Sequence, residues 1–485
     1  MEYETIIGLE VHSQLLTASK MFCNCDADYS NTTPNTHVCP VCLGMPGVMP
    51  VINKKALEYT AMTALALNCD IPEYSKFDRK NYPYPDLMKG YQISQYDAPI
   101  GLGGWLDVTV DGETRRIGIT RVHLEEDTAR LTHRTGSKGE SYSLVDVNRA
   151  GTPLMEIVGE PDIRSPEEAR QYLVSLRAIL QFLGVSNGNM EEGSFRCDAN
   201  ISIRKPGEPL SIKVEIKNMN SFRAVYRALD FEVKRQCKAV ESGERIIQET
   251  RGWMEDDGVT VSQRSKEHAH DYRYFPEPDL PPMVFSRDWI NELMARLPEL
   301  PVARRNRFVS EHGLSEYDAG LLTTSKSMSD FFERCVELRS GGGDKKQAKV
   351  VSNWITGELF RLLNANDIDV ENSKITPEQL SEMLELVDNG ALSVSAAKAV
   401  FEEMFNSGKR ADEVVAERGL SQISDTNELE DIVDRVIADN PQPVADFRQG
   451  KEKAQGFLVG QIMRATKGRA NPALVNKLLR ERLES

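Results

Sequence analysis

The sequence contains no run of about 18 apolar residues, and its first residues, Met1-Glu2-Tyr3-Glu4, lack the basic and apolar regions of a signal peptide. A membrane-spanning helix needs such a run, and secretion needs such a leader. The sequence therefore predicts a cytoplasmic protein that neither crosses nor enters a membrane.

Two nucleotide-binding motifs are also missing. There is no Gly-x-x-x-x-Gly-Lys-Ser/Thr loop, and no Gly-x-Gly-x-x-Gly string follows a strand. Both motifs cradle phosphates on backbone N–H groups. Covalent hydrolysis is not expected, because there is no serine-rich amidase-like stretch and Cys197 falls on the apolar face of a predicted strand. A nucleotide, if bound, should therefore be held by metal ions on a sheet.

Basic residues are too few to coat the whole surface, since the formal net charge of the 485 residues is -15. From Lys451 to the end, however, basic residues outnumber acidic ones. Such a segment is either a contact for a polyanion or a solvated helical face. The length and the 40% hydrophobic content suit two to four domains.

Period-two alternation predicts a strand from Thr5 to Leu15, with one apolar face and one polar face. The polar face carries Glu10, His12 and Gln14. Alternation returns at residues 121–125, and a β-hairpin is predicted from 197–204 and 212–217 around a Pro-Gly turn. We therefore expect an antiparallel sheet with carboxylates, an imidazole and lysines on one face. Those later polar positions are Arg121, His123, Glu125, Asp198, Asn200, Ser202, Lys213, Glu215 and Lys217.

The adjacent carboxylates Glu125, Glu126 and Asp127 repel one another unless solvent, basic groups or a cation neutralise them. Oxygen ligands with one imidazole suit magnesium or manganese, and those ions usually bring nucleotide phosphates. Lysines on this face, together with Lys80, would offset phosphate charge. The residues thus favour metal-dependent phosphoryl chemistry, with an acidic face of non-catalytic role as the alternative.

Four of the eight cysteines are clustered as Cys23-x-Cys25 and Cys39-x-x-Cys42. This spacing predicts two knuckles around one structural zinc ion, because four thiolates leave no open position. Disulfides are the alternative, and a reducing compartment disfavours them. His37 lies inside the loop and could replace one ligand.

The remaining elements are predicted from local signals. Prolines make residues 77–86 a rigid loop that holds Arg79 and Lys80, and residues 91–96 form a strand. A helix begins at the cap Ser165 and ends at Gly184. Helical patterns follow Pro282, interrupted by the glycines 341–343. Further helix starts are expected at Thr376, near Arg410, at residues 425–427 and at Asn471.

Six strings of the sequence are long enough to be specific: Gly8-Leu9-Glu10-Val11-His12, Lys80-Asn81-Tyr82-Pro83-Tyr84-Pro85-Asp86, His123-Leu124-Glu125-Glu126-Asp127, Asp146 to Leu154, Glu191 to Asn200, and Asp271 to Asp279. Through these strings the chain resembles the B-subunit family of the aspartyl/glutamyl-tRNA amidotransferases, essentially from end to end. An archaeal relative with a large inserted domain is a poorer match, because the helical run leaves no room for the insertion.

The resemblance implies an α+β fold. It has a glutamine synthetase-like catalytic cradle at residues 1–290 with a zinc knuckle at 23–42, a helical domain at 291–408 and a helical tail at 409–485. It also implies a reaction in which ATP phosphorylates the side-chain carboxylate of Glu-tRNA(Gln) or Asp-tRNA(Asn). Ammonia from a glutaminase A subunit then displaces the phosphate, and a small C subunit completes a heterotrimer.

The resemblance also implies roles for individual residues. Glu10, His12 and Glu125 would hold one magnesium or manganese ion, and Glu126, Asp198 and Glu215 a second, nucleotide-associated ion. Lys80, Tyr82 and Ser194 would line the phosphoryl-transfer pocket, and Asn200, Lys213 and Lys217 would bind the nucleotide. Cys23, Cys25, Cys39 and Cys42 match a family zinc knuckle, and Lys467 and Arg469 match a tail that contacts tRNA. No DNA partner is implied.

Two other functions compete with this one. A zinc-stabilised tRNA adaptor without ATP chemistry would not need the complete carboxylate set. A small-molecule ligase of glutamine synthetase type would not explain the helical, basic C-terminal third.

Overall fold

The computed structural model describes residues 3–265, 272–340, 344–366, 368–418, 426–448, 453–466, 470 and 472–484. It divides the chain into two compact units, Met1–Leu300 and Pro301–Ser485. The first combines sheets and helices, and the described part of the second is helical. The predicted α+β fold class is confirmed, whereas the boundaries at 290 and 408 stay predictions. Among the described residues, no helix is both long and apolar enough to cross a bilayer.

The first unit is built on an eight-stranded sheet with the order β13-β12-β11-β10-β1-β9-β6-β5. Its neighbouring strands are antiparallel except for β11 and β12, which are parallel. The strands of the chain are β1 Glu4–Gln14, β2 Tyr74–Ser75, β3 Asp78–Asn81, β4 Tyr91–Ser94, β5 Gly101–Val110, β6 Glu113–Glu126, β7 Arg130–Thr135, β8 Ser141–Asp146, β9 Pro153–Gly159, β10 Phe195–Arg204, β11 Val214–Lys217, β12 Glu249–Met254, β13 Val259–Ser265, β14 Phe275–Pro276 and β15 Met283–Val284.

Helices cover the apolar face of this sheet. They are α1 Lys54–Ala66, α2 Pro166–Leu183 and α3 Phe222–Glu241, and α4 Arg287–Ala295 packs on α1. Leu9 and Val11 of β1 and Leu176 of α2 are buried in the shared core. Helix α2 begins at the predicted cap, where the Ser165 hydroxyl accepts from the Glu168 N–H, and ends at Gly184 with φ 67°.

The second unit contains two apolar clusters, one from Phe308 to Val414 and one from Leu429 to Leu483. The predicted capping box is present, since Thr376 and Gln379 exchange both hydrogen bonds. The predictions at glycines 341–343, at Asp425 and at Asn471 lie outside the described residues. The helices are α5 Pro301–His312, α6 Glu316–Leu322, α7 Lys326–Ser340, α8 Lys345–Trp354, α9 Phe360–Asn366, α10 Pro377–Asp388, α11 Val394–Ser407, α12 Ala411–Arg418, α13 Thr426–Asp439, α14 Pro441–Arg448, α15 Lys453–Ala465 and α16 Pro472–Glu484.

One prediction was wrong in part: the expected rigid loop at 77–86 contains the strand β3. This strand pairs with β4 on one side and with β14 on the other. The Arg79 guanidinium donates two hydrogen bonds to Glu277, at 2.7 and 2.8 Å, which fasten β3 to the segment carrying β14. Prolines 83 and 85 lie after the end of this strand, so they do not interrupt its pairing.

Candidate active site and metal-capable clusters

Three neighbouring strands bring polar side chains together on the face of the sheet opposite α1–α3. In the register of β1, β9 and β6, His12 lies opposite Glu156, which lies opposite His123. Side chains two residues apart share a face, so Glu125 follows His123 on the same side. The period-two alternation of the three strands thus brings four side chains together, those of His12, His123, Glu125 and Glu156.

Two histidines and two carboxylates form a compact, mostly buried group. Nε2 of His12 lies 3.3 Å from Glu156 and 3.8 Å from Glu125. Nε2 of His123 lies 3.2 Å from Glu156 and 3.8 Å from Glu125. The Ser94 hydroxyl donates to Glu125 at 3.0 Å. The donor atoms of His12, Glu125 and Glu156 lie within 4.8 Å of one another, which permits all three to bind one metal ion.

Mutual charge decides how these groups ionise. Burial disfavours the charged imidazoles, but the carboxylates outweigh it, so that the pKa of His12 is raised and that of His123 is raised to about 9. Burial also disfavours the charged carboxylates, but the two histidines lower the pKa of Glu125 and lower that of Glu156 well below its ordinary value. The metal-free group is therefore a set of mutually stabilised ions.

Lys80 adds a cation beside this group. Its ammonium lies 5.7 Å from the ring centre of Tyr82 and 5.1 Å from that of Tyr272. Burial opposes its charge, but Glu125 and other nearby groups outweigh that effect and raise the pKa of Lys80. Burial raises the pKa of Tyr82, whose hydroxyl donates to Gln92 at 3.3 Å. Lys80 therefore stays charged beside the carboxylates.

Other sequence-predicted residues lie along the same face. The amide of Asn200 donates to Glu10 at 2.9 Å. Lys217 donates to Asp198 and lies 3.4 Å from Glu215, so one lysine joins the two carboxylates. Lys213 is exposed.

Ser194 is held in the loop before β10. Its hydroxyl accepts from the Asn189 N–H at 3.1 Å and donates to the side chain of Asn187. The structure thus shows Ser194 as a fixed part of the loop that lines a neighbouring cavity.

The three adjacent carboxylates are separated by the pleat of β6. Glu126 points away from Glu125 and accepts from Lys89 at 2.6 Å and from the Ile93 N–H at 3.0 Å. Glu126 lies beside the loop that contains Cys23 to Cys42, here called the cysteine loop, and apart from Asp198 and Glu215. Glu125, Glu126 and Asp127 are all buried, so their charges are not neutralised by exposure to solvent.

Asp127 has its own partners. It accepts from Arg196 at 3.0 Å and from Gln14 at 2.7 Å. Burial opposes its charge, but Arg196 and Arg149 outweigh it and lower the pKa of Asp127.

Sequence reasoning missed Glu156 and did not assign His123 to the site. Glu156 is a lone carboxylate in the apolar strand β9, Pro-Leu-Met-Glu-Ile-Val-Gly, and that contrast was the available signal. A buried, unneutralised carboxylate is costly, so such a residue indicates a partner or a ligand.

The sequence also contains a Gly-x-Ser-x-Gly string at residues 184–188. It follows helix α2 rather than joining a strand to a helix, as a nucleophile elbow does. The Ser186 hydroxyl accepts from Ser13 at 2.8 Å. The Gly188 N–H also donates to Ser186, at 3.2 Å, and neither of these described partners is a general base.

The four clustered cysteines form a second metal-capable group. The sulfurs of Cys23, Cys25, Cys39 and Cys42 lie within 4.8 Å of one another, and all four are free thiols. The Cys39 N–H donates to the Cys42 sulfur at 3.1 Å, which holds these two cysteines close together. His37 is not a member of the group.

The structure describes only part of the basic C-terminal segment that was predicted to contact tRNA. Lys467 and Arg469 lie outside the described residues. Arg482 lies 2.8 Å from Glu430 and 3.2 Å from Asp434, so this basic side chain is paired within the helices of the tail.

Comparisons with known proteins identify the family of the chain. Residues 5–291 match the model described as the GatB/GatE catalytic domain, and residues 330–483 match the GatB domain. The chain is 57% identical to the B subunit of the aspartyl/glutamyl-tRNA(Asn/Gln) amidotransferase of Dehalococcoides mccartyi over 488 residues, covering 100% of this chain and 99% of the relative. It is 58% identical to the corresponding B subunit of Thermomicrobium roseum over 485 residues, with 100% and 99% covered. The chain therefore belongs to the B-subunit family of the aspartyl/glutamyl-tRNA amidotransferases.

Proposed function

We propose that this chain is the ATP-dependent, amide-forming subunit of a glutamine-hydrolysing ligase. It would phosphorylate the side-chain carboxylate of Glu-tRNA(Gln) or Asp-tRNA(Asn), after which ammonia displaces the phosphate. The buried group of His12, Glu125 and Glu156 with Lys80 beside it carries this proposal. A cation-rich, partly dry site is what transfer between two anions requires, because the nucleophile and the triphosphate repel each other.

The donor set fits a divalent ion. Two carboxylates and one imidazole are ligands that magnesium and manganese accept, and only one of these groups is more than slightly exposed to solvent. An ion held by His12, Glu125 and Glu156 would supply charge neutralisation to the transferring phosphoryl group. Glu10, which the resemblance implies as a metal ligand, precedes His12 on the same face of β1 and would act through its hydrogen bond from Asn200.

The other site residues would act through their charges and through the space they fill. Lys80 would bind a phosphate oxygen, and Tyr82 and Tyr272 beside it would limit the entry of water to the mixed anhydride. Asp198 and Glu215, which share Lys217, would together hold the second, nucleotide-associated ion. The position of Glu126 favours a structural role through Lys89 instead.

The relatives are named as B subunits, which implies partner subunits. We propose a heterotrimer with a glutaminase A subunit that delivers ammonia and a small C subunit, acting on misacylated tRNA in the cytoplasm. The four-cysteine group would hold structural zinc, since a set of four thiolates with free sulfurs suits that ion.

The test is ATP hydrolysis by the complex purified with its partner subunits. Turnover should require the esterified amino acid, so Glu-tRNA(Gln) or Asp-tRNA(Asn) should stimulate it and the same uncharged tRNAs should not. The Glu125→Ala variant should lose amide formation and keep tRNA affinity. Equal turnover with charged and uncharged tRNA, or none with either, would favour the zinc-stabilised adaptor.

A further inference from the structure

One lysine side chain is completely buried beside the cysteine loop. Lys20 is 0% exposed, and among the described residues it forms no ion pair with a carboxylate. Its ammonium donates to two backbone carbonyls instead, those of His37 at 2.8 Å and of Val147 at 3.4 Å. A carbonyl oxygen carries only a partial charge, so an ammonium buried in this way still lacks a full counter-charge.

Two buried carboxylates next to the cysteine loop are already paired with other cations. Glu126 accepts from Lys89 at 2.6 Å, and Asp127 accepts from Arg196 at 3.0 Å. Lys20 therefore has to take its counter-charge from another kind of anion. The groups of the cysteine loop that can supply one are its thiolates.

Lys20 is fixed against both pairs of cysteines. Its backbone N–H donates to the carbonyl of Cys25 at 2.9 Å. Its ammonium reaches the carbonyl of His37, two residues before the second pair. Its stem and Cys42 meet at Gly151, where an added Cβ would lie 3.5 Å from Cδ of Lys20 and 3.7 Å from Cβ of Cys42. The lysine is thus held by the same segments that hold the thiols.

Four thiolates around a divalent ion leave two surplus negative charges, and a charged group of this kind is costly to bury. A buried cation beside the thiolates lowers that cost, and the thiolates in turn supply the counter-charge that the lysine lacks. We infer that Lys20 is the counter-ion of the four-cysteine metal site, so that its positive charge strengthens metal binding by Cys23, Cys25, Cys39 and Cys42. This role rests on the zinc site proposed above and extends it from the four ligands to the charge beside them.

The test has to separate the charge of Lys20 from its hydrogen bonds, because a lysine that only tied the loop together would also support metal binding. Iron separates them, since a four-thiolate site accepts it as the ferric or the ferrous ion and the two states differ by one charge. A positive charge beside the sulfurs favours the more negative, ferrous state. A looser loop weakens both states alike, so the reduction potential of the iron-loaded chain reports the charge.

The first measurement compares the full chain with its Lys20→Met variant, in which an apolar side chain of similar length replaces the ammonium. The affinity for Zn²⁺, measured by competition with a chromophoric chelator, should fall at least about tenfold. With iron in place of zinc, the reduction potential should fall by at least about 59 mV, which is a tenfold loss of the ferrous state relative to the ferric state. An unchanged potential would overturn the inference, whatever happens to zinc binding.

A second variant covers the case in which the carbonyls left without a donor disturb the fold. The amide of Lys20→Gln keeps an N–H donor for the carbonyl of His37 but carries no charge. We expect its reduction potential to fall as in Lys20→Met. A potential equal to that of the wild type would show that Lys20 acts through its hydrogen bonds, and would reject its role as the counter-ion.

Asn53→Ala is the matched control. The Asn53 amide donates to the carbonyls of Ser19 at 2.9 Å and of Lys20 at 3.2 Å, so its loss loosens the same segment without changing the charge. We expect its reduction potential to stay at the wild-type value, and a fall as large as that of Lys20→Met would contradict the inference. Failure of the zinc site is a separate outcome, seen as a wild-type chain that binds neither zinc nor iron, and it would overturn the role of Lys20 as well.

Discussion

At the scale of single residues, Glu156 is a ligand candidate that the register of β1, β9 and β6 reveals. Replacing its carboxylate by the isosteric amide in Glu156→Gln removes one charged oxygen from the group of three. We expect the affinity for Mn²⁺ to fall at least about tenfold, as measured by electron paramagnetic resonance of the free ion. Glu167→Gln, on the outer surface of α2, is the control, and equal affinities in both variants would contradict the prediction.

His123 makes stability depend on pH in the metal-free protein. Its pKa is about 9 in the folded chain, above the value of about 6.5 expected when unfolded. The folded state therefore binds this proton more tightly, and the resulting stability is complete below about pH 6.5 and lost as the pH rises through about 9.

The corresponding measurement is denaturant unfolding in the presence of a chelator. The free-energy difference between the wild type and His123→Gln should be largest at acidic to neutral pH and should shrink towards pH 9 and above. A difference that grows with pH would show that His123 is neutral in the folded state.

At the scale of elements, the cysteine loop supports the end of β6. The Met21 N–H donates to the carbonyl of Gly151 at 2.6 Å, and the Gly151 N–H donates to the carbonyl of Asp127 at 2.9 Å. The buried Lys20 donates to the carbonyl of His37 at 2.8 Å, inside the loop. The loop is thus connected to the strand that carries Glu125.

Loss of the zinc ion proposed for the four cysteines should therefore loosen both the loop and the end of β6. We expect Cys39→Ser to lower bound zinc from one ion per chain and to increase hydrogen exchange at residues 21–42 and 125–127. Cys237→Ser, a scattered thiol on α3, should change neither. Full zinc content in the Cys39 variant would reject the four-cysteine site.

Local chemistry made some of these elements predictable. Strand β1 and helix α2 follow from period-two alternation and from the caps at Ser165 and Gly184, which act within a few residues. Strand β3 was not predictable in this way, because its pairing with Phe275 depends on contacts nearly 200 residues apart. Glu156 became a site residue only through the register of β1, β9 and β6. Non-local pairing of this kind leaves little trace in a local pattern.

At the scale of the whole molecule, the chain has separate apolar cores in its two units. One core contains Leu176 and lies within Met1–Leu300, and another contains Phe332 and lies within Pro301–Ser485. The helical patterns after Pro282 predicted a helical part of the chain, and the boundary between the units depends on packing between residues far apart in the sequence.

Separate cores predict separate thermal responses. Phe332 is fully buried, so Phe332→Ala should cost about 3–5 kcal/mol and lower one calorimetric transition by roughly 10 °C. Leu176→Ala should lower the other transition instead, because Leu176 belongs to the core of the sheet-bearing unit. If both substitutions shift a single transition equally, the two units unfold as one cooperative body; if each shifts its own transition, the catalytic sheet can be altered without destabilising the helical unit that follows it.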